Sequence, residues 1–86
     1  MARQLLKCNV YPNPTASRVH IVFDGPIGEQ TMLSIVDCQG KIIFKKVIRT
    51  GTIDFSVDLS GISQGLYFLI FQSSSLITTK KISVHR

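Results

Sequence analysis

The chain has 86 residues, of which 44% are hydrophobic and 17% are charged, and its formal net charge is +5. This length fits a single domain with one core, and no apolar run reaches the roughly 18 residues of a membrane-spanning helix. Lys and Arg are scattered, without the recognition helix or the aromatic and basic strand pattern of nucleic-acid-binding domains. Composition therefore favours a small globular domain that does not bind nucleic acid.

The segment before the first predicted strand, MARQLLKC, lacks the sustained apolar core and the small-residue cleavage site of a secretory signal peptide. We assign residues 1–8 to a linker or an expression-derived segment and residues 9–86 to one domain. Cys8 and Cys38 each stand alone, which excludes a metal knuckle and a redox pair. Two free thiols are one interpretation and a disulfide between them is the other, because only their separation in space decides.

Four strands are predicted in the first half of the domain, at residues 9–11, 18–23, 31–36 and 41–47. Apolar and polar side chains alternate in the second and third of them, as in strands with one buried face. The positions that should face the core are Val19, Ile21, Phe23, Leu33 and Ile35.

A hairpin connects the third and fourth predicted strands. Asp37 and Gly40 occupy the first and last positions of a type I turn, which are the positions that Asp and Gly prefer. In the strand after this turn, the alternation places Ile42 and Phe44 on the core side and Ile43 on the outside.

The clearest alternation in the chain covers residues 52–59. Its inward positions are Ile53, Phe55, Val57 and Leu59. The loop that follows is too short and too rich in glycine for a helix, and its Ile62 should plug the end of the core.

Residues 66–71, LYFLIF, form the most hydrophobic run, with apolar side chains on both faces of the pleat. The run is too short for a buried helix, so it predicts a central strand that is covered on both sides. Gly65 and Tyr67 resemble the corner of immunoglobulin-like sandwiches, in which a Tyr near the start of a central strand bonds the preceding loop through its hydroxyl. Tyr67 is therefore expected to be a structural residue.

The last predicted strand covers residues 76–84. Its alternation places Ile82 and Val84 in the core and Lys81 in solvent. The same alternation brings Lys80 to the inner side, where it either snorkels at the rim or follows a bulge. In all, seven strands separated by turns predict an all-β fold, an immunoglobulin-like antiparallel sandwich.

The sequence offers no constellation for catalysis or for a metal. His20 lies at an outward strand position and His85 near the end, and no third ligand stands beside either. Asp54 and Asp58 share a solvated face, whereas an acid and base pair needs a different environment for each of its two carboxyl groups. We therefore expect a non-catalytic domain without a cofactor.

Four groups of residues occur in a characteristic order: YPNP at 11–14, SIVDCQGK at 34–41, DLS at 58–60 with GLY at 65–67, and KKISV at 80–84. Together they resemble the type A C-terminal sorting domain of the type IX secretion system of Bacteroidota. The resemblance implies a β-sandwich at the C-terminal end of large secreted proteins such as proteases and adhesins. It also implies passage of the linked cargo from the periplasm through the outer membrane, removal of the domain by a sortase-like cysteine protease, and attachment of the cargo to surface lipopolysaccharide.

Carried over by position, the sorting signal falls on the last strand. The resemblance assigns recognition by the outer-membrane translocon to Lys80, Lys81, Ile82 and Val84. It assigns a scaffold role to Asp37, Gly40, Gly65 and Tyr67. A terminal strand at a sheet edge would present backbone groups that a receptor can complete, whereas a lysine pair by itself predicts only a soluble edge.

Two residues depart from the family pattern: Val36 stands where an aromatic is more frequent, and Cys38 is not expected. The alternative function is a free-standing fibronectin III-like binding or adhesion module that uses loops 24–30 and 49–52 as its contact surface. That module predicts exposed aromatic residues in these loops, and the sequence has none there. Strand exchange between copies stays open for any sandwich with an exposed edge.

Overall fold

The structure is a computed structural model that describes residues 7–86. Its strands are β1 Cys8–Tyr11, β2 Arg18–Phe23, β3 Thr31–Asp37, β4 Ile42–Ile48, β5 Asp54–Asp58, β6 Gly65–Gln72 and β7 Ile77–Val84. They form a three-stranded sheet in the order β1-β2-β5 and a four-stranded sheet in the order β4-β3-β6-β7, with antiparallel pairing throughout. This arrangement confirms the predicted immunoglobulin-like sandwich.

The predicted linker, residues 1–8, lies mostly outside the described residues. Cys8 already belongs to β1, where it pairs with Phe23 and is buried. Within residues 7–86, the secondary structure includes no helix of the length and apolar character that crossing a membrane requires.

The core lies between the two sheets. The Phe23 ring of one sheet meets the Phe71 ring of the other edge to face, with 6.0 Å between their centroids. Each buried aliphatic or aromatic side chain contributes about 1.5–3 kcal/mol, so the layers are held mainly by such contacts. All five positions predicted to face the core in β2 and β3 are buried, and so are Ile48, Val57, Leu59, Tyr67, Leu69, Ile82 and Val84.

Strand β6 lies between β3 and β7, as its hydrophobic run predicted. The expectation that both of its faces are covered is wrong. Tyr67, Leu69 and Phe71 are buried, but Leu66 is 39% exposed and its neighbours on the same face are half-buried. A sandwich of two layers covers only one face of each sheet, so the second apolar face of β6 lies at the surface.

The predicted alternation of β4 is wrong at its start. The pairing of β3 with β4 shifts between Ile35 and Val36, so Ile42 lies opposite the outward Val36 and is 49% exposed. Ile43 instead packs against the core. Phe44 lies opposite Ile35 on the inner side as predicted, yet it is 36% exposed because β4 is an edge strand. A bulge of this kind changes the side-chain alternation of one strand only.

The predicted alternation of β5 holds for Val57 and Phe55 but not for Ile53, which is 50% exposed just before the strand begins. Ile62 packs against the core as predicted. The Lys46 ammonium group lies 5.6 Å from the centroid of the Phe55 ring, which brings the β4 edge over the β5 edge. This cation–π contact links the two sheets at one side of the sandwich.

Candidate functional site

Strand β7 forms one edge of the four-stranded sheet. It pairs along its whole length with β6, from Gly65 opposite Val84 to Gln72 opposite Ile77. No other strand within residues 7–86 pairs with its far side. An edge strand presents backbone N–H and C=O groups that a second chain can complete, so β7 has the geometry of a peptide-recognition strand.

The four residues of the predicted sorting signal divide into two pairs. Ile82 and Val84 are 0% and 1% exposed, and their side chains lie in the core. Lys81 points outward and is exposed, whereas Lys80 points inward and is half-buried at the rim. The pairing with β6 runs without a bulge, so Lys80 reaches the rim by snorkelling. Of these four residues, only Lys80 and Lys81 are accessible in the folded domain.

The C-terminal half of the β7 edge is closed by the segment after β1. The Asn13 side chain donates to the Lys81 carbonyl (2.9 Å) and accepts from the Ser83 N–H (3.0 Å). The Thr15 N–H donates to the Ser83 carbonyl (2.9 Å), and the His85 N–H donates to the Thr15 carbonyl (2.8 Å). We call these contacts the Asn13 latch. They satisfy the edge as a short neighbouring strand would.

The N-terminal half of the β7 edge borders a cleft. This cleft has a volume of about 850 Å³ and lies between β1 and β7. Cys8, Phe23, Asp24, Thr79 and Lys80 are among the residues that line it. Within residues 7–86, the sandwich therefore has this cleft along the part of β7 that carries Lys80, and on the opposite side Lys46 of β4 lies against Phe55 of β5.

Both cysteines are free thiols, so the structure contains no disulfide between them. Cys8 is buried beside the cleft and Cys38 is exposed in the turn between β3 and β4. Burial raises the pKa of the Cys8 thiol, and the positive charge of Lys80 opposes this shift. Cys8 is thus a core side chain that is protonated at neutral pH.

Asp37 and Gly40 build the turn that leads from β3 to β4, as predicted. One Asp37 carboxylate oxygen accepts hydrogen bonds from the backbone N–H groups of Gln39 and Lys41, both at 2.9 Å. The Gly40 N–H donates to the Asp37 carbonyl (3.0 Å), and Gly40 has a φ of 86°. That conformation strains residues with a Cβ atom, which explains glycine at this position.

Tyr67 forms the corner that its position predicted. Its hydroxyl donates to the Ser63 carbonyl (2.6 Å), and its side chain is only 6% exposed. Gly65 has a φ of 154°, a conformation that favours glycine, and a Cβ atom there would lie 3.8 Å from the Tyr67 ring. Gly65 and Tyr67 thus fix the loop before β6 and the start of β6, the strand with which β7 pairs.

Arg86 has a structural role that the sequence did not indicate. Its guanidinium group donates to the carbonyls of Leu59 (2.6 Å) and Ile62 (2.5 Å), and its backbone N–H donates to the Gln64 side chain (3.1 Å). These contacts tie the end of the chain to the loop of the tyrosine corner. In the sequence, Arg86 is one of several scattered cations. Its role could not be predicted because its hydrogen-bond partners are backbone carbonyls of a distant loop.

Within residues 7–86, no three His, Cys, Asp or Glu side chains come together as metal ligands. His20 lies against Tyr11, with 5.5 Å between the ring centroids. The arrangement can present backbone groups, ammonium groups and apolar surface to another macromolecule.

Comparison with known proteins agrees with this geometry. The family model described as the secretion system C-terminal sorting domain matches residues 9–85. No curated protein matches the chain. The match covers all strands from the second residue of β1 to the end of β7. The chain therefore belongs to the family of C-terminal sorting domains of the type IX secretion system.

Proposed function

We propose that the domain is a non-catalytic address and that the type IX translocon reads it on the folded sandwich, at the edge of β7. The observation that carries this proposal is the edge position of β7 within residues 7–86, with two accessible lysines beside the half that the Asn13 latch does not reach. A receptor strand that pairs there gains backbone hydrogen bonds, and the alternate side chains give specificity.

The four signal residues then have two roles. Lys80 and Lys81 offer ammonium groups to carboxylates of the receptor on the two sides of the strand. Ile82 and Val84 act indirectly, because their burial fixes the register of β7 against β6. In this scheme the folded edge is the signal, and the apolar residues hold it in place.

The route of the linked cargo follows from the family. The domain accompanies an N-terminal cargo through the periplasm and the outer membrane, and the cargo arrives at the cell surface or outside the cell. Removal of the domain by a sortase-like protease and attachment of the cargo to lipopolysaccharide complete this proposal. The family membership of residues 9–85 supports this route.

The test is secretion of a foreign reporter fused ahead of the chain in a bacterium that has the type IX system. Neutralising both lysines in Lys80→Gln with Lys81→Gln should lower the secreted fraction about fivefold, the effect of losing two charge contacts. The matched control is Lys41→Gln with Arg49→Gln, which removes the same charge from exposed turns. Equal secretion of both variants would contradict the proposal.

A further inference from the structure

The outward face of the four-stranded sheet, which we call the outer face, is apolar in its centre. Its cross-strand neighbours follow from the pairings of β3 with β4 and β6 and of β6 with β7. The rows read Val47, Met32, Gln72 and Ile77; Lys45, Ser34, Ile70 and Thr79; and Ile42, Val36, Phe68 and Lys81. Leu66 extends the apolar centre beyond Phe68.

The outer face holds most of the exposed apolar surface of the described domain. Of the eight large apolar side chains that are exposed within residues 7–86, five lie on it: Met32, Ile42, Val47, Leu66 and Ile77. The outward face of the three-stranded sheet differs, because Asn9, Arg18, His20, Asp54, Ser56 and Asp58 make it mainly polar. An apolar surface concentrated on one side of a small domain is typical of an interaction site.

The charges of the outer face have one sign. Lys45 lies on the edge strand β4 and Lys81 on the opposite edge strand β7, and both are exposed. Across the sheet they are three strand spacings apart, about 14 Å, and along the strands they lie in neighbouring rows. The outward positions of this sheet contain no Asp or Glu within residues 7–86. The outer face therefore has the layout of a protein interface, an apolar centre with a charged rim.

We propose that the outer face docks on a protein surface of the secretion machinery, a surface with an apolar centre flanked by carboxylates. This inference rests on the proposed function and adds a second contact to it. Lys81 lies both on the β7 edge and on the rim of the outer face, so one receptor can cover the two surfaces without a break. Carboxylates at both margins would pair with Lys45 and Lys81 and orient the domain.

Two alternative occupants of the outer face, a second copy of this chain and a membrane, fit its charges less well. A second copy of this chain would bring its own lysines to the interface with no carboxylate to meet them, and like charges oppose such a pairing. An anionic membrane is recognised by clusters of about four to eight basic residues, whereas the outer face carries two within residues 7–86, Lys45 and Lys81. The favoured occupant is therefore an acidic protein surface.

The test uses the foreign reporter fused to the whole chain. Phe68→Thr with Ile70→Thr removes the apolar centre, and Lys45→Glu reverses a rim charge away from β7. The matched controls are Tyr11→Thr with His20→Thr on the other sheet and Arg49→Glu in a turn. We expect secretion to fall about tenfold for both outer-face variants, as for loss of an interface centre, and to stay normal for both controls. A cooperative transition in the thermal denaturation of each purified variant is the check that it is folded.

The outcomes separate the two proposals. If the unaltered chain does not export the reporter, the proposed function fails. If it does export and the folded outer-face variants are secreted normally, the inference about the outer face is overturned. Binding of the chain to protein-free vesicles of lipopolysaccharide and phosphatidylethanolamine that the outer-face variants lose would overturn it in favour of a membrane. A dimer in sedimentation that these variants dissolve would overturn it in favour of a second copy.

Discussion

At the scale of single residues, the tyrosine corner is the contact with the clearest energetic consequence. Tyr67→Phe keeps the buried ring but loses the bond to the Ser63 carbonyl. We expect a loss of about 1 kcal/mol in the free energy of unfolding, and about 3–5 kcal/mol for Tyr67→Ala, which also leaves a cavity. Denaturant unfolding measures both. A Tyr67→Ala domain as stable as the original would show that the corner does not organise the core.

Glu29 gives a residue-scale prediction for pH. Hydrogen bonds from the Ser73 and Ser75 side chains, followed by the Ser75 backbone and the Ser74 side chain, lower the pKa of this carboxyl from 4.5 to about 2. Because the pKa is lower in the folded state than in the unfolded state, the ionised carboxyl stabilises the folded domain at pH values above the unfolded pKa. This stabilisation is lost as pH falls from about 4.5 through about 2.

Melting temperatures of the original chain and of Glu29→Gln, measured from neutral pH down to pH 2, test this prediction. The original chain should melt higher at neutral pH, and the difference should shrink below pH 4.5, the ordinary value of the carboxyl. Asp58, whose pKa is lowered by hydrogen bonds from Ser60, is present in both proteins and cancels in the comparison. A difference that is constant over the whole range would refute the role of Glu29.

At the scale of secondary-structure elements, β7 is a strand with two unlike halves. The Asn13 latch covers the backbone from Lys81 onward, while the half that begins at Ile77 borders the cleft. Asn13→Ala should therefore expose the Ser83 N–H and cost about 1 kcal/mol of stability. Hydrogen exchange by NMR should show faster exchange at Ser83 and an unchanged rate at the Thr79 amide. Unchanged protection of Ser83 would mean that the latch is not formed in solution.

The same scale shows why some elements were predictable and others were not. Alternation placed β2 and β3 correctly, because the side chains of a half-buried strand repeat every second residue. It failed in β4, where the bulge opposite Ile35 and Val36 leaves no mark in the local pattern. It failed at Ile53 because the alternation of polar and apolar residues begins before β5 does.

At the scale of the whole molecule, the candidate site depends on contacts between distant parts of the chain. Asn13 is 70 residues from Ser83, and local periodicity carries no information about such a pair. The order of the strands in the sheets, which makes β7 an edge, is likewise a property of the folded chain. The sequence predicted which residues form the last strand, and it left open whether Lys80 snorkels at the rim or follows a bulge. It also placed Ile82 and Val84 in the core, but it could not predict that the Asn13 latch covers the edge beside them.

The translocon is proposed to pair with the half of the β7 edge that the Asn13 latch does not reach. The outward backbone groups of β7 are those of the odd-numbered residues, as the bonds at Ser83 show. Thr79→Pro therefore removes an N–H that points away from β6, and an edge strand tolerates proline there. The secreted fraction of a reporter fused ahead of the Thr79→Pro chain tests the claim most directly. The account predicts a folded domain whose reporter stays in the periplasm, and normal secretion of that reporter would contradict it.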